Sequence, residues 1–210
     1  MSKTEVLKTD SERFSYMVGM DIGGSLRNVP QEITIEALVR GIQDAIEGKK
    51  PLLTPEEIRE IQQKAMAAMQ EQRARDGEAS MAEGNAFLEE NKDKEGVVVT
   101  ESGLQYLVIE KGDGAKPTTK DTVRVHYAGT LLDGTEFDSS YKRNEPVEFG
   151  VTQVIPGWTE ALQLMQVGAK YRLFIPSELA YAGNPPPQSS IPPNSVLLFE
   201  VELLDIVDGK

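Results

Sequence analysis

The stretch VIPGWTEALQLM, residues 154–165, contains the single tryptophan of a 210-residue chain. Its apolar side chains recur at steps of three and four, which predicts a short amphipathic helix that begins after Pro156-Gly157; they are Trp158, Ala161, Leu162 and Met165. A tryptophan in the first turn of such a helix either packs in the core or forms the floor of a pocket. Both interpretations are open at this point.

On both sides of this helix the apolar period is two. The segments are rich in β-branched and aromatic residues and are separated by Gly, Asp-Gly and Pro: VVVTESGLQYLVIEKG, DTVRVHYAGTLLDG, PVEFGVTQVI, KYRLFIP and SVLLFEVELLDIV. We therefore expect a mostly antiparallel sheet in residues 97–210, with the single short helix covering one of its faces.

Residues 11–91 have a helical period instead. Two apolar stripes predict two short helices, the second ending at Gly48; the stripes are Phe14, Met17, Val18 and Ile22, then Ile35, Leu38, Val39, Ile42 and Ile46. Two short amphipathic helices cannot close a core alone. The pattern predicts a homodimer formed through residues 14–46.

A third helix is predicted to begin at LLTPEEI. Thr54 is placed as its N-cap, Pro55 as its first residue and Glu57 as the partner of the cap in a capping box. Few stop signals follow before residue 91, so the helix would contain about 37 residues and extend about 55 Å. Its later part, EQRARDGEASMAEGN, is polar around most of its circumference. This indicates a solvent-exposed rod between two bodies, with a flexible linker as the alternative.

The predicted fold class is α+β. We expect an all-helical dimerisation domain in residues 1–53, a long linker helix in residues 54–96 and a sheet domain in residues 97–210.

Composition excludes several functions. A net charge of −12 and a pI near 4.7, without a dense basic run, argue against nucleic acid as a partner. With no cysteine and only His126, no metal or other cofactor is expected. No apolar run is long enough for a transmembrane segment, and the first residues lack the apolar core of a signal peptide. We expect a soluble cytoplasmic protein, or a periplasmic or outer-membrane protein if a signal peptide has been removed.

Four ordered motifs carry a resemblance to a known family: VRVHYAGTLLDGTEFDSS, VIPGWTEALQLMQVG, IPSELAYAG and IPPNSVLLFEVELLDI. Residues 100–208 closely resemble the FKBP-type peptidyl-prolyl cis-trans isomerases. The preceding helices, with SYMVGMDIG and AEGNAFLEENKDKEGV, resemble the bacterial Mip-like/FKBP22-like subgroup. In that subgroup the N-terminal helices dimerise, and the long helices hold two catalytic domains apart.

The resemblance implies an FKBP-like half-wrapped antiparallel sheet with a shallow apolar pocket between sheet and helix. Matching positions imply catalytic roles for Asp138, Tyr181, Trp158 and Ile155. They imply substrate-binding roles for a second set: Tyr127, Phe137, Arg143, Phe149, Val154, Ile191 and Phe199. In the family, the Ile155 N–H and the Tyr181 hydroxyl donate to ligand carbonyls. The Asp138 carboxylate either stabilises the twisting amide or orients Tyr127 and Arg143.

The implied function is isomerisation of X-Pro bonds in unfolded or partly folded polypeptides, with chaperone activity of the dimer. Macrolides of the FK506/rapamycin type are implied as inhibitors. The first alternative is a non-catalytic chaperone or binding module for proline-containing partners. A structural dimeriser with an incidental pocket is the second.

Individual residues also have simpler interpretations. Phe149, Phe199 and Val154 suit an ordinary sheet core, Asp138 suits a turn or an N-cap, and His126 suits a packed strand. A glycosidase using Glu136, Asp138 and Glu148 has little support, because no acid and nucleophile pair is identifiable.

The chain departs from the family pattern after Tyr181, where Ala182 precedes the usual glycine. The following AGNPPPQSSIPP contains three consecutive prolines, which stiffen the rim of the expected site and remove donors.

Overall fold

The protein is described here from a computed structural model, which describes residues 7–27, 29, 31–187 and 189–207. The helices are α1 (Asp10–Leu26), α2 (Ile35–Ile46), α3 (Pro55–Asn91), α4 (Ser140–Arg143) and α5 (Pro156–Leu164). The strands are β1 (Val97–Val99), β2 (Gln105–Glu110), β3 (Thr122–Thr130), β4 (Glu136–Ser139), β5 (Val147–Gly150), β6 (Lys170–Ile175) and β7 (Leu197–Val207). The predicted α+β class is confirmed.

The strands form one antiparallel sheet in the order β1-β2-β6-β7-β3-β4, with β5 pairing to β3 as well. The chain divides into two compact units, Met1–Gln72 and Arg73–Lys210. Within the described residues, no helix is both long enough and apolar enough to cross a membrane.

The first unit contains α1, α2 and the beginning of α3, and the residues of it that the structure describes form no apolar core. Among its described residues Asp44 is the only buried one, and its carboxylate binds Arg40 at 2.9 Å. The predicted stripe on α1 is exposed, with Phe14 at 64% and Met17 at 51%. The three helices thus expose the faces that their periodicity marks as apolar.

Helix α3 begins as the sequence predicts. The Thr54 N–H donates to the Glu57 carboxylate at 2.7 Å, and the Glu57 N–H donates to the Thr54 hydroxyl oxygen at 3.2 Å. These reciprocal bonds satisfy backbone donors that a helix start otherwise leaves free. The helix is continuous to Asn91, so the flexible-linker alternative is wrong.

The later part of α3 differs from the expected solvent-exposed rod. Gly77, Gly84 and Asn91 are buried within the second unit. The Asn91 side-chain amide donates to Gln105 Oε1 at 2.9 Å, and the Phe87 ring lies 5.8 Å from that of Phe174. Composition alone suggested solvation because the contacts use glycine backbone and isolated side chains instead of a broad apolar stripe.

The core of the second unit lies between the sheet and α5. Alternate residues of β3 and β7 point inward, including Val123, Val125, Val201 and Leu203, all without solvent exposure. From α5, Leu162 completes the core at 1% exposure. Burial of one such leucine contributes about 1.5–3 kcal/mol, so this unit holds its own helix on the sheet.

The single turn α4 is an addition to the one short helix that the sequence predicts. Ser139 caps it by accepting from the Lys142 N–H, and Asn144 ends it in the left-handed region at φ 52°. Asp138 is therefore the penultimate residue of β4, and its interpretation as an N-cap is wrong.

Candidate functional site

A cavity of about 570 Å³ opens between the sheet and the start of α5. Strands β3, β4, β5 and β7, the loop before α5 and the segment that follows β6 all contribute to its wall. The lining residues are Tyr127, Phe137, Asp138, Phe149, Gln153, Val154, Ile155, Trp158, Tyr181, Pro186, Ser189, Ile191 and Phe199.

Trp158 forms the base of this cavity. Its ring meets three others edge to face, with centroid distances of 5.3 Å to Tyr127, 5.8 Å to Phe149 and 5.3 Å to Phe199. Edge-to-face geometry is one of the two favoured arrangements for aromatic pairs. The indole is only 4% exposed, so Trp158 belongs both to the core and to the cavity, and the two interpretations of the sequence are compatible.

Gly129 on β3 makes room for the opposite wall. A Cβ atom there would lie 2.6 Å from the Phe199 ring and 2.7 Å from the Phe137 ring. Those two rings meet edge to face at 5.5 Å. The sequence analysis did not single out Gly129, because only the tertiary fold brings both rings against this backbone.

A polar cluster of three side chains lies at one edge of the aromatic wall. Asp138 accepts at both carboxylate oxygens, from the Tyr127 hydroxyl at 2.5 Å and from Arg143 Nη1 at 2.5 Å. Arg143 Nη2 also donates to the Tyr127 hydroxyl oxygen at 3.0 Å. Each member therefore contacts the other two.

The cluster keeps Asp138 ionised. Burial by itself raises the pKa of this carboxyl, but the hydrogen bonds from Tyr127 and Arg143 outweigh it and hold the pKa below its ordinary value. Burial, and then the hydrogen bond to Asp138, raise the pKa of Tyr127. At neutral pH the cluster holds a carboxylate, a phenol and a guanidinium.

Ser140 anchors the backbone beneath the cluster. Its hydroxyl oxygen accepts from the Tyr127 N–H at 2.8 Å and lies 3.2 Å from the Tyr127 carbonyl oxygen. His126 Nδ1 lies 2.9 Å from the same hydroxyl, and the imidazole stacks on Tyr141. His126 is thus a packed strand residue, as one interpretation had it, whereas the contribution of the fully buried Ser140 was missed.

The Ile155 backbone N–H and the Tyr181 hydroxyl are donors at the cavity that form no hydrogen bond within the part of the chain that the structure describes, and the same is true of the Trp158 indole N–H. Ile155 precedes the first turn of α5 and has an extended backbone. Tyr181 follows a 3-10 turn at Ser177–Leu179; burial, and then the charge on Asp138, raise its pKa. Both groups are available to a ligand carbonyl.

Ten of the eleven predicted site residues line the cavity. Arg143 does not line it and reaches the site only through Asp138 and Tyr127. Gln153, Pro186 and Ser189 were missed; Pro186 belongs to the proline run that the sequence analysis noted, and Gln153 adjoins predicted Val154. Of the glycosidase carboxylates, Glu136 pairs with Lys142 at 2.8 Å.

Family comparison agrees with the geometry. Residues 113–204 match the family model described as FKBP-type peptidyl-prolyl cis-trans isomerase, and residues 11–108 match the domain amino terminal to that isomerase. The chain belongs to this family and is an FKBP-type peptidyl-prolyl cis-trans isomerase.

Relatives narrow the membership to the bacterial subgroup that combines both domains. The FKBP-type 22 kDa peptidyl-prolyl cis-trans isomerase of Escherichia coli K12 is 51% identical, over 97% of this chain and 99% of that protein. Outer membrane protein MIP of Legionella longbeachae is 43% identical, over 95% and 87%. The crystal structure of FkpA from Escherichia coli matches with a TM-score of 0.68 at 38% identity, covering 95% of this chain and 98% of that one. The chain is thus of the Mip-like/FKBP22-like type.

Proposed function

We propose that the cavity above Trp158 is the site at which this isomerase twists the X-Pro bond. The observation that carries this proposal is an aromatic cavity whose wall includes two donors, the Ile155 N–H and the Tyr181 hydroxyl, that form no hydrogen bond with any residue the structure describes. Such a site receives a pyrrolidine ring on apolar surface and holds flanking carbonyls in a fixed orientation.

The chemistry follows from the nature of the barrier. Partial double-bond character gives rotation a barrier of about 18–20 kcal/mol, and the uncatalysed event takes about 10–100 s. No covalent intermediate is needed, because the cavity only has to bind the twisted amide better than either planar form. Aromatic walls exclude the water that stabilises the polar planar form. Trp158 and Phe199 supply the wall, and the two free donors fix the chain on either side of the bond.

For Asp138 we propose an orienting role. Both of its oxygens already accept strong hydrogen bonds, one from Tyr127 and one from Arg143. Its charge is therefore largely balanced within the cluster, and its main effect is to fix the Tyr127 ring against Trp158. This favours orientation over direct stabilisation of the amide.

The test compares folded variants of Trp158 in a protease-coupled assay on a proline peptide. Trp158→Leu is expected to lower kcat/KM by at least about tenfold, or 1.4 kcal/mol of transition-state binding. Trp158→Phe is the matched control, because the indole N–H has no hydrogen-bond partner in the described structure and its removal breaks no such bond. It should retain more activity than Trp158→Leu.

Asp138→Ala should reduce activity less than Trp158→Leu, and both variants should leave the oligomeric state unchanged. Circular dichroism must first establish folding, since truncating a buried tryptophan to alanine costs about 3–5 kcal/mol. A folded Trp158→Leu protein with full activity would mean that Trp158 is core only, and the site would lie elsewhere.

Macrolides of the FK506/rapamycin type are proposed ligands of the same cavity, which has the volume and aromatic lining that suit a large apolar ligand. Trp158 is the only tryptophan, so its fluorescence reports binding directly. Competition between macrolide and proline peptide supports a shared site; simultaneous binding contradicts it.

We further propose the functional division into a dimerisation domain (residues 1–53), a connecting helix (54–96) and an isomerase domain (97–210). The exposed apolar faces of α1 and α2 support a homodimer, because a second copy of the same helices would cover them. Two cavities in one dimer would then act on the same unfolded polypeptide, which is the basis of the proposed chaperone activity.

The rival proposal, a binding module that holds proline-containing chains, is separated from this one by pairing two assays. The intact chain and a fragment from residue 73, where the second compact unit begins, are compared for peptide isomerisation and for suppression of aggregation. Isomerisation by both, with aggregation suppressed only by the intact chain, supports the division above. Aggregation suppression by a Trp158→Leu protein that lacks turnover would favour the binding module.

The compartment has two candidates. The absence of cysteine suits both the cytoplasm and the cell envelope, and the name of the Legionella longbeachae relative supports the envelope. We propose the cell envelope, and the test is to fractionate cells that express the native gene. Recovery in the cytoplasmic fraction would restore the prediction from sequence.

A further inference from the structure

The loop that carries part of the cavity rim is tied at its base. The Asn194 N–H donates to the Ala182 carbonyl oxygen at 2.7 Å, and the Ala182 N–H donates to the Ser177 carbonyl oxygen at 2.9 Å. We call Ala182 and Asn194 the loop neck. Ala182 directly follows the cavity residue Tyr181, and Asn194 comes three residues after the cavity residue Ile191. A displacement of the neck would therefore move two walls of the cavity.

Both neck residues have a left-handed backbone, with φ 49° at Ala182 and φ 57° at Asn194. Asparagine is one of the residues with a Cβ atom that adopt this conformation most readily, whereas an alanine in it is strained. The geometry of the neck is thus imposed by its surroundings and is sensitive to the residue at position 194.

Helix α3 supplies those surroundings. The Asn194 side-chain amide donates to the Gly77 carbonyl oxygen at 3.4 Å. A Cβ atom at Gly77 would lie 3.1 Å from that amide nitrogen and 3.2 Å from Pro193. One at Gly84 would lie 2.6 Å from Cγ2 of the buried Val196. Seven residues apart, the two glycines lie on one face of the helix, and both allow its backbone to touch the segment that follows the loop.

We propose that Asn194 is a positioning residue of the isomerase site, and that helix α3 braces it through Gly77 and Gly84. The brace fixes how Tyr181 and Ile191 face the bound proline segment. This rests on the function proposed above for the cavity. It also accounts for two glycines inside a helix that is otherwise rich in good helix formers.

Disturbing the brace should affect binding more than chemistry. Tyr181 and Ile191 supply walls of the cavity and a hydrogen bond to the ligand, while Trp158 stays in place on α5. KM for a proline peptide and Kd for a macrolide should rise together, with a smaller change in kcat. Thermal stability should fall only modestly, because the better helix propensity of alanine offsets part of the local crowding. A purely structural role would instead lower stability without selective loss of binding.

The experiment uses the full-length protein and begins with Gly84→Ala. We expect KM and macrolide Kd to rise about fivefold, a change of about 1 kcal/mol by RT ln K, with kcat within about twofold. Val196→Ala should restore space, so the double variant Gly84→Ala/Val196→Ala should bind as well as Val196→Ala alone. Gly41→Ala is the control, a helical glycine of α2 with nothing within 4 Å of an added Cβ, and it should leave KM and Kd unchanged.

Substitutions at position 194 test the proposal independently. Asn194→Gly keeps access to the left-handed backbone but loses the amide contact with Gly77, so it should weaken macrolide binding less than Asn194→Ala, which loses both and should weaken it severalfold. Unchanged KM and Kd in both Gly84→Ala and Asn194→Ala would overturn the inference, as would a loss in Gly84→Ala that Val196→Ala does not reverse. If these variants are neutral while Trp158→Leu is impaired, only the brace is wrong. If Trp158→Leu is neutral as well, the proposed site itself fails.

Discussion

The two compact units solve the problem of burying apolar surface in opposite ways. In the unit Arg73–Lys210, alternate strand residues and α5 close a core in which Val123, Val125 and Leu203 are inaccessible. In the unit Met1–Gln72, α1 has no buried residue and Phe14 is 64% exposed. Both units contain regular helices, with a side-chain N-cap on α1 in the first and on α4 in the second, so the quality of the helices does not distinguish the units. The difference teaches that periodicity specifies an apolar face, but not whether the same chain covers it.

The strongest test of this contrast truncates one leucine in each unit to alanine. Leu162→Ala, at 1% exposure, should lower the unfolding free energy of the second unit by about 2–5 kcal/mol. Leu52→Ala, at 76% exposure, should change it by less than about 0.5 kcal/mol. Urea unfolding followed by Trp158 fluorescence measures both. A similar loss in the two variants would contradict the contrast, since the first unit would then support the second.

The next test asks whether a second copy covers the exposed faces. Val39→Asp, on the apolar face of α2 and 47% exposed, should raise the dimer Kd by about 100-fold, or about 2.8 kcal/mol. Ala37→Asp is the matched control, two positions and about 200° away around the helix. Light scattering against concentration gives both constants, and peptide isomerisation should persist in each variant. Equal dimerisation of Val39→Asp and the native protein would refute the proposed interface.

A smaller effect is expected in the pH dependence of activity. It tests whether the Asp138 cluster of the second unit is unchanged when the first unit is removed. The pKa of Asp138 lies below its ordinary 3.8 when folded. A carboxyl whose pKa is lower in the folded state than in the unfolded state stabilises the fold at pH values above its unfolded pKa. That stabilisation is lost as the pH falls through its folded pKa. Activity should therefore be flat between about pH 5 and 8 and decline only below the ordinary pKa.

The pH profile should be the same for the intact chain and for a fragment from residue 73, because every member of the Asp138 cluster lies in the second unit. Asp138→Asn should remove the dependence on this carboxyl. A midpoint above the ordinary value would show that Tyr127 and Arg143 do not stabilise the ionised form.

The smallest expected effect is at Ala182, the departure from the family pattern. Its left-handed backbone at φ 49° costs an alanine about 1–2 kcal/mol. Glycine relieves that strain, but it also makes the unfolded chain more flexible, which lowers the unfolding free energy by about 0.4–1 kcal/mol. Ala182→Gly should therefore raise the unfolding free energy of the second unit by about 0.5 kcal/mol. The control Ala79→Gly, at an exposed position inside α3, should lower it because glycine is the poorer helix former; a loss in both variants would mean that Ala182 is not strained.

The sequence by itself determined the features that depend on neighbours within a few residues. The capping box of Thr54 and Glu57 and the extent of α3 from Pro55 to Asn91 follow from local hydrogen bonds and propensity. The same holds for the stripe on α5 that carries Trp158. The resemblance to the family then located most of the cavity, because its motifs keep their order and spacing.

Only the tertiary structure decided what depends on residues far apart in the chain. Asn194 meets Gly77 across 117 positions, so no local pattern marks those glycines as contacts instead of weak points in a helix. Arg143 contacts Asp138 and Tyr127 without lining the cavity. Close packing at such points is set by the three-dimensional approach of whole elements, and neither periodicity nor propensity records that approach.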